Sequence, residues 1–217
     1  MQDLIDSQEM YLRTVLELEE EGITALRARL SERLHLSAPA VSEGVTRLEA
    51  QGLVTLDDKR VVTLTPEGRT IAERVMRKHR LIERLLVDVL EIPHEYVHEE
   101  ACRWEHVVSD RVEERLNEFL GSPTTSPYGN PIPGSPGAHV DTHPLSNVGD
   151  GPVVLHSLSE QLQADTAVIR TLTALGMVAG ATVKVKTGLG GVVLRLDDAE
   201  MVLSPEQAEL IHVVDVP

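Results

Sequence analysis

Residues 37–64 read SAPAVSEGVTRLEAQGLVTLDDKRVVTL, and this stretch decides the fold. Ser37 is a good helix cap and Pro39 suits a first helical turn, where its missing N–H is not needed. Val41, Val45 and Leu48 then recur at helical spacing as far as Gly52. Leu53 to Leu56 and Val61 to Leu64 are apolar, β-branched runs on either side of the charged turn Asp57-Asp58-Lys59-Arg60, the pattern of a hairpin. Upstream, Arg27 to Leu34 reads as a short helix. Before it, Leu4, Ile5, Tyr11, Leu12, Val15, Leu16 and Leu18 share one face of a longer helix that Gly22 stops. Helix, helix, helix, hairpin is the order of a winged helix-turn-helix.

Downstream, Thr65-Pro66 starts a helix with the apolar stripe Ile71, Val75, Ile82, Leu86 and Val89, and His79 occupies a stripe position. Pro93 ends this element, and His94 to Leu120 forms a further helix or pair of helices. Residues 121–152 are rich in Pro, Gly, Ser, Thr and Asn and read as a linker. Short strand candidates follow at 153–155, 182–185, 192–196, 201–203 and 211–214, interrupted by a helix from about Thr166 to Leu175. The expected fold is mainly α. It comprises a winged helix-turn-helix over 1–73, a helical metal-binding and dimerisation region over 74–120, the linker over 121–152 and a small SH3-like β-barrel over 153–217.

The formal net charge of the 217-residue chain is −15, which argues against nucleic acid until it is mapped. Residues 24–80 carry 11 basic and 7 acidic side chains, whereas every other segment is acidic, so DNA contact has to come from that one block. Aromatic residues make up 2% of the chain, too few for base-stacking recognition of single strands. No apolar run approaches membrane-spanning length, and Met1-Gln2-Asp3 lacks the basic start of a secretory signal, so the chain is expected in the cytoplasm without a membrane partner. Cys102 is the single cysteine, which leaves a reduced thiol available as a ligand.

That thiol has company. His98, Cys102, Glu105 and His106 are spaced i, i+4, i+7, i+8 and on one helix would fall within roughly a third of its circumference. His79 and Glu83 form a second i, i+4 pair, although a histidine on an apolar stripe also serves plainly in a helix interface. Met10 lies almost opposite the apolar face of its helix, a lone thioether on a polar surface for which composition alone offers only an adaptable surface side chain.

These residues resemble the diphtheria-toxin-repressor (DtxR) and iron-dependent-regulator family of metal-activated bacterial repressors. The resemblance is carried by Glu9-Met10-Tyr11-Leu12-Arg13-Thr14, Leu26-Arg27-Ala28-Arg29, Val75-Met76-Arg77-Lys78-His79-Arg80, Glu100-Ala101-Cys102-Arg103-Trp104-Glu105-His106 and Gly129-Asn130-Pro131-Ile132-Pro133-Gly134. It covers the first 134 residues closely; beyond them only the strand–helix–strand pattern is similar to the family's SH3-like domain. The resemblance implies an activating metal site of Met10, Cys102, Glu105 and His106. It also implies an ancillary site of His79, Glu83 and His98 with ligands from the SH3-like domain. Alignment puts Asp165 and Val168 at those last positions, where valine cannot coordinate, and Gln161 or Gln163 comes into reach if the alignment slips. A thioether with a thiolate makes Fe²⁺ a better physiological ion than Mn²⁺, while Co²⁺, Ni²⁺ and Zn²⁺ bind as well by affinity order.

The resemblance further implies a homodimer on double-stranded palindromic operator DNA, one or two dimers per operator, controlling iron-homeostasis genes. Arg27, Arg29, Arg47, Arg60 and the Ser42 hydroxyl are suited to phosphate, and Ser37 and Pro39 to base edges or thymine methyls, with Ala40 and Glu43 also among the DNA-binding positions. Glu43 stands where relatives commonly have glutamine, and Gly44 follows it, weakening the helix by about 1 kcal/mol. Three alternatives stay open: a manganese-responsive regulator, a winged-helix regulator without metal, and a metal-dependent hydrolase using Glu99 or Glu100 as base.

Overall fold

The computed structural model describes residues 2–137, 140–188 and 190–216, with side chains from Ser7 onward. The expected places of Leu4 and Ile5 on an apolar face therefore lie outside the described side chains. The chain divides into two compact units: residues 1–79 with 105–108, and residues 80–104 with 109–217. No helix among the described residues is long and apolar enough to cross a membrane.

In the first unit, α1 (Gln2–Glu20) packs on α2 (Arg27–Leu34), α3 (Ala38–Ala50) and a hairpin of β1 (Val54–Leu56) and β2 (Val62–Leu64). The hairpin register is Val54↔Leu64, Thr55↔Thr63 and Leu56↔Val62. Ser37 caps α3 as expected, its hydroxyl accepting from the Ala40 amide at 3.4 Å. Leu12, Val15 and Leu18 of α1 meet Leu30, Val41, Val45 and Leu48 in a core from which water is excluded. Each such side chain stabilises the fold by about 1.5–3 kcal/mol relative to exposure. The long helix α4 (Pro66–Arg84) begins in this unit and continues into the second.

Past α4, the backbone widens into a π-helical turn over Leu85–Val89 before Pro93. The segment expected as one helix or two is two: α5 (His94–Trp104) and α6 (Asp110–Phe119). The β-rich part is a six-stranded antiparallel sheet of β3 (His143–Pro144), β4 (Gly151–Leu158), β5 (Thr182–Gly188), β6 (Gly191–Leu196), β7 (Ala199–Leu203) and β8 (Ile211–Asp215), in the order β3-β8-β4-β5-β6-β7. Between strands lie the short α7 (Glu160–Gln163), α8 (Thr166–Ala174) and α9 (Pro205–Glu209). The expected strands are present and longer than their apolar runs, because ladder hydrogen bonds carry pairing into flanking polar residues.

The Pro-rich stretch behaves unlike a linker. Ser126, Tyr128, Asn130 and Ile132 are buried. The Tyr128 hydroxyl donates to the His94 carbonyl at 2.6 Å, and the Asn130 amide donates to the Leu158 carbonyl at 2.8 Å. Gly129, at φ +87°, lets the backbone pass where a Cβ would lie 1.9 Å from the His156 carbonyl oxygen. Its last residues join the sheet as β3 and the start of β4. A composition typical of flexible chain is here fixed by buried hydrogen bonds.

Candidate metal centre

Helix α5 ends at Trp104, so the four-ligand run is not one helical face. His98 and Cys102 sit one turn apart on α5, with Sγ 3.6 Å from His98 Nε2, while Glu105 and His106 occupy the turn that follows. The β-branched Val107 and Val108 and the extended Ser109 that starts α6 make that turn.

In the first unit Glu105 is the centre of a charged cluster. Its carboxylate, 1% exposed, takes the Arg13 guanidinium on both oxygens at 2.6 Å and His79 Nδ1 at 2.6 Å. Burial alone would raise this carboxyl, but the Arg13 charge and then His79 outweigh it and hold the group at about 2, so it is ionised. Arg13 Nε also reaches Glu17 at 2.6 Å, and His106 Nδ1 meets Glu9 at 2.8 Å. Met10 stands between Glu9 and Arg13 with 43% of its surface exposed, as its odd position on a polar face required. In the sequence Glu9 and Arg13 stand only as part of the motif around Met10, because a charge on the solvent face of a helix is unremarkable. Their spacing around Met10 was the available signal.

In the second unit Glu83 is fully buried and lies 3.8 Å from His98 Nδ1. Arg80, also fully buried, bonds Glu160 of α7 at 2.7 Å, and α7 packs on α5. Three residues along α7, Gln163 is 1% exposed; its Nε2 donates to the Leu158 carbonyl at 2.8 Å, and its buried Oε1 has no hydrogen-bond partner. Asp165 lies elsewhere: exposed, it caps α8 by accepting from the Ala167 and Val168 amides at 3.2 and 3.1 Å. Val168 is a core residue. Gln163 is one of the two alternatives that the sequence leaves open, whereas Glu160 does not stand out there, because buried polar groups cannot be told from exposed ones by sequence.

The residues expected to meet DNA lie on α2, α3 and the hairpin. Ser37, Pro39, Ala40 and Glu43 are exposed on the first turns of α3, with Ser42 and Arg47 partly exposed. Arg60, at φ +62°, is at the tip of the hairpin. Arg27 opens α2 with a buried Nε that makes no hydrogen bond. Glu99 and Glu100 are both paired with Arg103 on the surface, where neither is a poised base.

Comparison with known proteins adds an independent finding. Residues 3–62 match the family described as iron dependent repressor, N-terminal DNA binding domain; residues 65–134 match iron dependent repressor, metal binding and dimerisation domain; residues 143–215 match the FeoA domain. The iron-dependent repressor IdeR of Mycobacterium leprae is 47% identical over 229 residues, covering all of this chain and 99% of that protein. The diphtheria toxin repressor of Corynebacterium efficiens is 46% identical over 226 residues, covering all of this chain and 98% of that one. Among solved structures, a manganese-dependent transcriptional repressor in complex with manganese is 30% identical with a TM-score of 0.84, covering 96% of this chain and all of the other.

Proposed function

The chain belongs to the iron-dependent repressor family, and on that premise we propose how its own residues bring DNA binding under the control of a metal ion. It is a DNA-binding, metal-activated transcriptional regulator and not an enzyme, which removes the hydrolase and the metal-free regulator from consideration. The residues present fit a transition-metal ion: thioether, thiolate, imidazole and a carboxylate already ionised are a donor set of intermediate softness.

The activating ligands are Met10, Cys102, Glu105 and His106, and the ion is Fe²⁺. When bound, the ion supplies a point of positive charge that sulfur, nitrogen and oxygen donors share. Glu9 and Arg13 hold His106 and Glu105 against α1 at hydrogen-bond distance beside Met10, so the ligands are oriented before metal arrives. Because α1 also packs on α2 and α3, fixing Met10 fixes the helix that supports the reading head. The ancillary ligands are His79, Glu83 and His98, joined by Glu160 and Gln163 in place of Asp165. The buried, unpartnered Gln163 Oε1 supports that exchange, since a desolvated acceptor without a donor is costly unless a cation occupies it.

The working form is a homodimer on a palindromic operator, with half-sites about one helical turn apart. On α6, Val112, Leu116 and Phe119 recur at i, i+4 and i+7, and Phe119 is 69% exposed, an apolar face suited to a second copy of the chain.

The observation that carries this function is the Glu105–Arg13–His106–Glu9 cluster beside Met10. Its test is an anaerobic titration of operator binding with Fe²⁺, Mn²⁺ and a chelator. Tight binding in Fe²⁺ and weak binding in chelator are expected, and Met10→Asp is expected to move the preference from Fe²⁺ toward Mn²⁺. Equal affinity in chelator and in Fe²⁺ overturns metal control; an unchanged ion preference removes Met10 from the ligand set.

A further inference from the structure

The lack of a side chain at Gly44 is explained inside the fold. Gly44 is buried, and a Cβ on it would lie 2.6 Å from Cζ and 2.7 Å from the hydroxyl oxygen of Tyr11. Tyr11 belongs to α1 and is itself only 4% exposed, and its hydroxyl donates to the Ala40 carbonyl at 3.3 Å. One aromatic ring of α1 is therefore seated across a full turn of α3, from Ala40 to Gly44. On the same helix, Ala40 and Glu43 are exposed to whatever α3 reads. On α1, the residue before the ring is Met10.

A tyrosine ring has two rotatable bonds and, in a packed core, no room to use them. It passes displacement on as a strut does, where a flexible side chain would absorb it. Resting on the assignment of Met10 as a ligand, we propose that Tyr11 is the positioning residue through which the metal end of α1 sets the recognition helix, with Gly44 as the notch that seats it. A methyl group at position 44 forces the ring away by about 1 Å to reach an ordinary contact distance. Interfaces that switch between two packings convert shifts of that size into a change of state.

The test uses the full chain and a duplex selected by wild type from a random-sequence pool. Affinity is measured by anisotropy, anaerobically, in saturating Fe²⁺ and in chelator; the ratio of the two is the coupling between metal and DNA. Gly44→Ala and Tyr11→Leu are each expected to shrink this ratio about tenfold, well within the range of known couplings. The double variant should match Tyr11→Leu alone, because the added methyl then has no ring to displace. Tyr11→Phe keeps the ring and loses only the bond to Ala40, for a decrease of about threefold, and carries the test if Gly44→Ala folds poorly. A residue with a merely structural role would lower thermal stability and leave the ratio intact. Wild-type ratios in both single variants, or additive losses in the double variant, overturn the proposal. A wild type indifferent to Fe²⁺ is a different failure, of the metal control on which the proposal rests.

Discussion

Glu105 is a carboxylate with almost no contact with water, and its charge survives because Arg13 and His79 sit on it. Removing one partner of such a pair strands the other. Arg13→Ala is accordingly expected to cost the metal-free protein about 3 kcal/mol in urea unfolding, with Arg13→Lys recovering part of it. A loss under 1 kcal/mol would mean that water already reaches the carboxylate. At this scale the sequence is legible wherever a residue type is out of place, as Met10 is on a polar face. It is illegible where an ordinary residue has an extraordinary environment. Arg13 and Glu9 look like any helical surface charges, and Glu160 like any solvated acid, until burial distinguishes them.

Helix spans, by contrast, follow from periodicity and punctuation. Ser37, Pro39 and Gly52 bracket α3, and Pro66 opens α4. What periodicity does not reveal is the end of a helix that lacks a Gly or Pro, and for that reason the turn at Glu105 and His106 came as a correction. The same insensitivity hides partners. Helix α6 has a periodic apolar face, and no residue of it is buried within one chain. Val112→Lys with Phe119→Glu should convert the protein to monomer in sedimentation equilibrium and weaken operator binding by at least about tenfold, since each half-site then binds alone. A dimer that survives both charges places the interface on another surface. In the sheet, His156 of β4 and His212 of β8 are both held below the ordinary imidazole value by burial; His156 and His143 push His212 the same way, against Glu209. Neutral imidazole is thus the form the fold prefers. The unfolded chain takes up protons first as pH falls through about 6.5, so stability is full above that value and declines below it. Urea midpoints at pH 7.5, 6.5 and 5.5 should fall in wild type and fall less in His156→Gln with His212→Gln. Parallel curves would rule these two residues out as the cause.

Over the whole molecule, a chain of net charge −15 has one basic block with which to meet phosphate, and its affinity for any duplex is expected to fall as salt is raised. Metal content is the other whole-molecule quantity. Anaerobic dialysis should find about two Fe²⁺ per chain in wild type, with Glu83→Ala and Gln163→Leu each losing about one, as when a ligand of a small site is removed. Unchanged stoichiometry in Gln163→Leu would return the orphaned amide oxygen to a purely structural role. The buried stretch from Ser126 to Ile132 has a consequence for modularity. Its hydrogen bonds run to His94 on one side and Leu158 on the other, and Arg80 spans from α4 to both Pro131 and Glu160. The β-rich region is therefore not a detachable cassette. A chimaera that exchanges it between relatives at the apparent seam, near residue 121, splits one hydrogen-bonded assembly between two parents. One that carries residues 80–217 keeps Arg80, His94, Tyr128, Asn130, Leu158 and Glu160 on the same side of the graft.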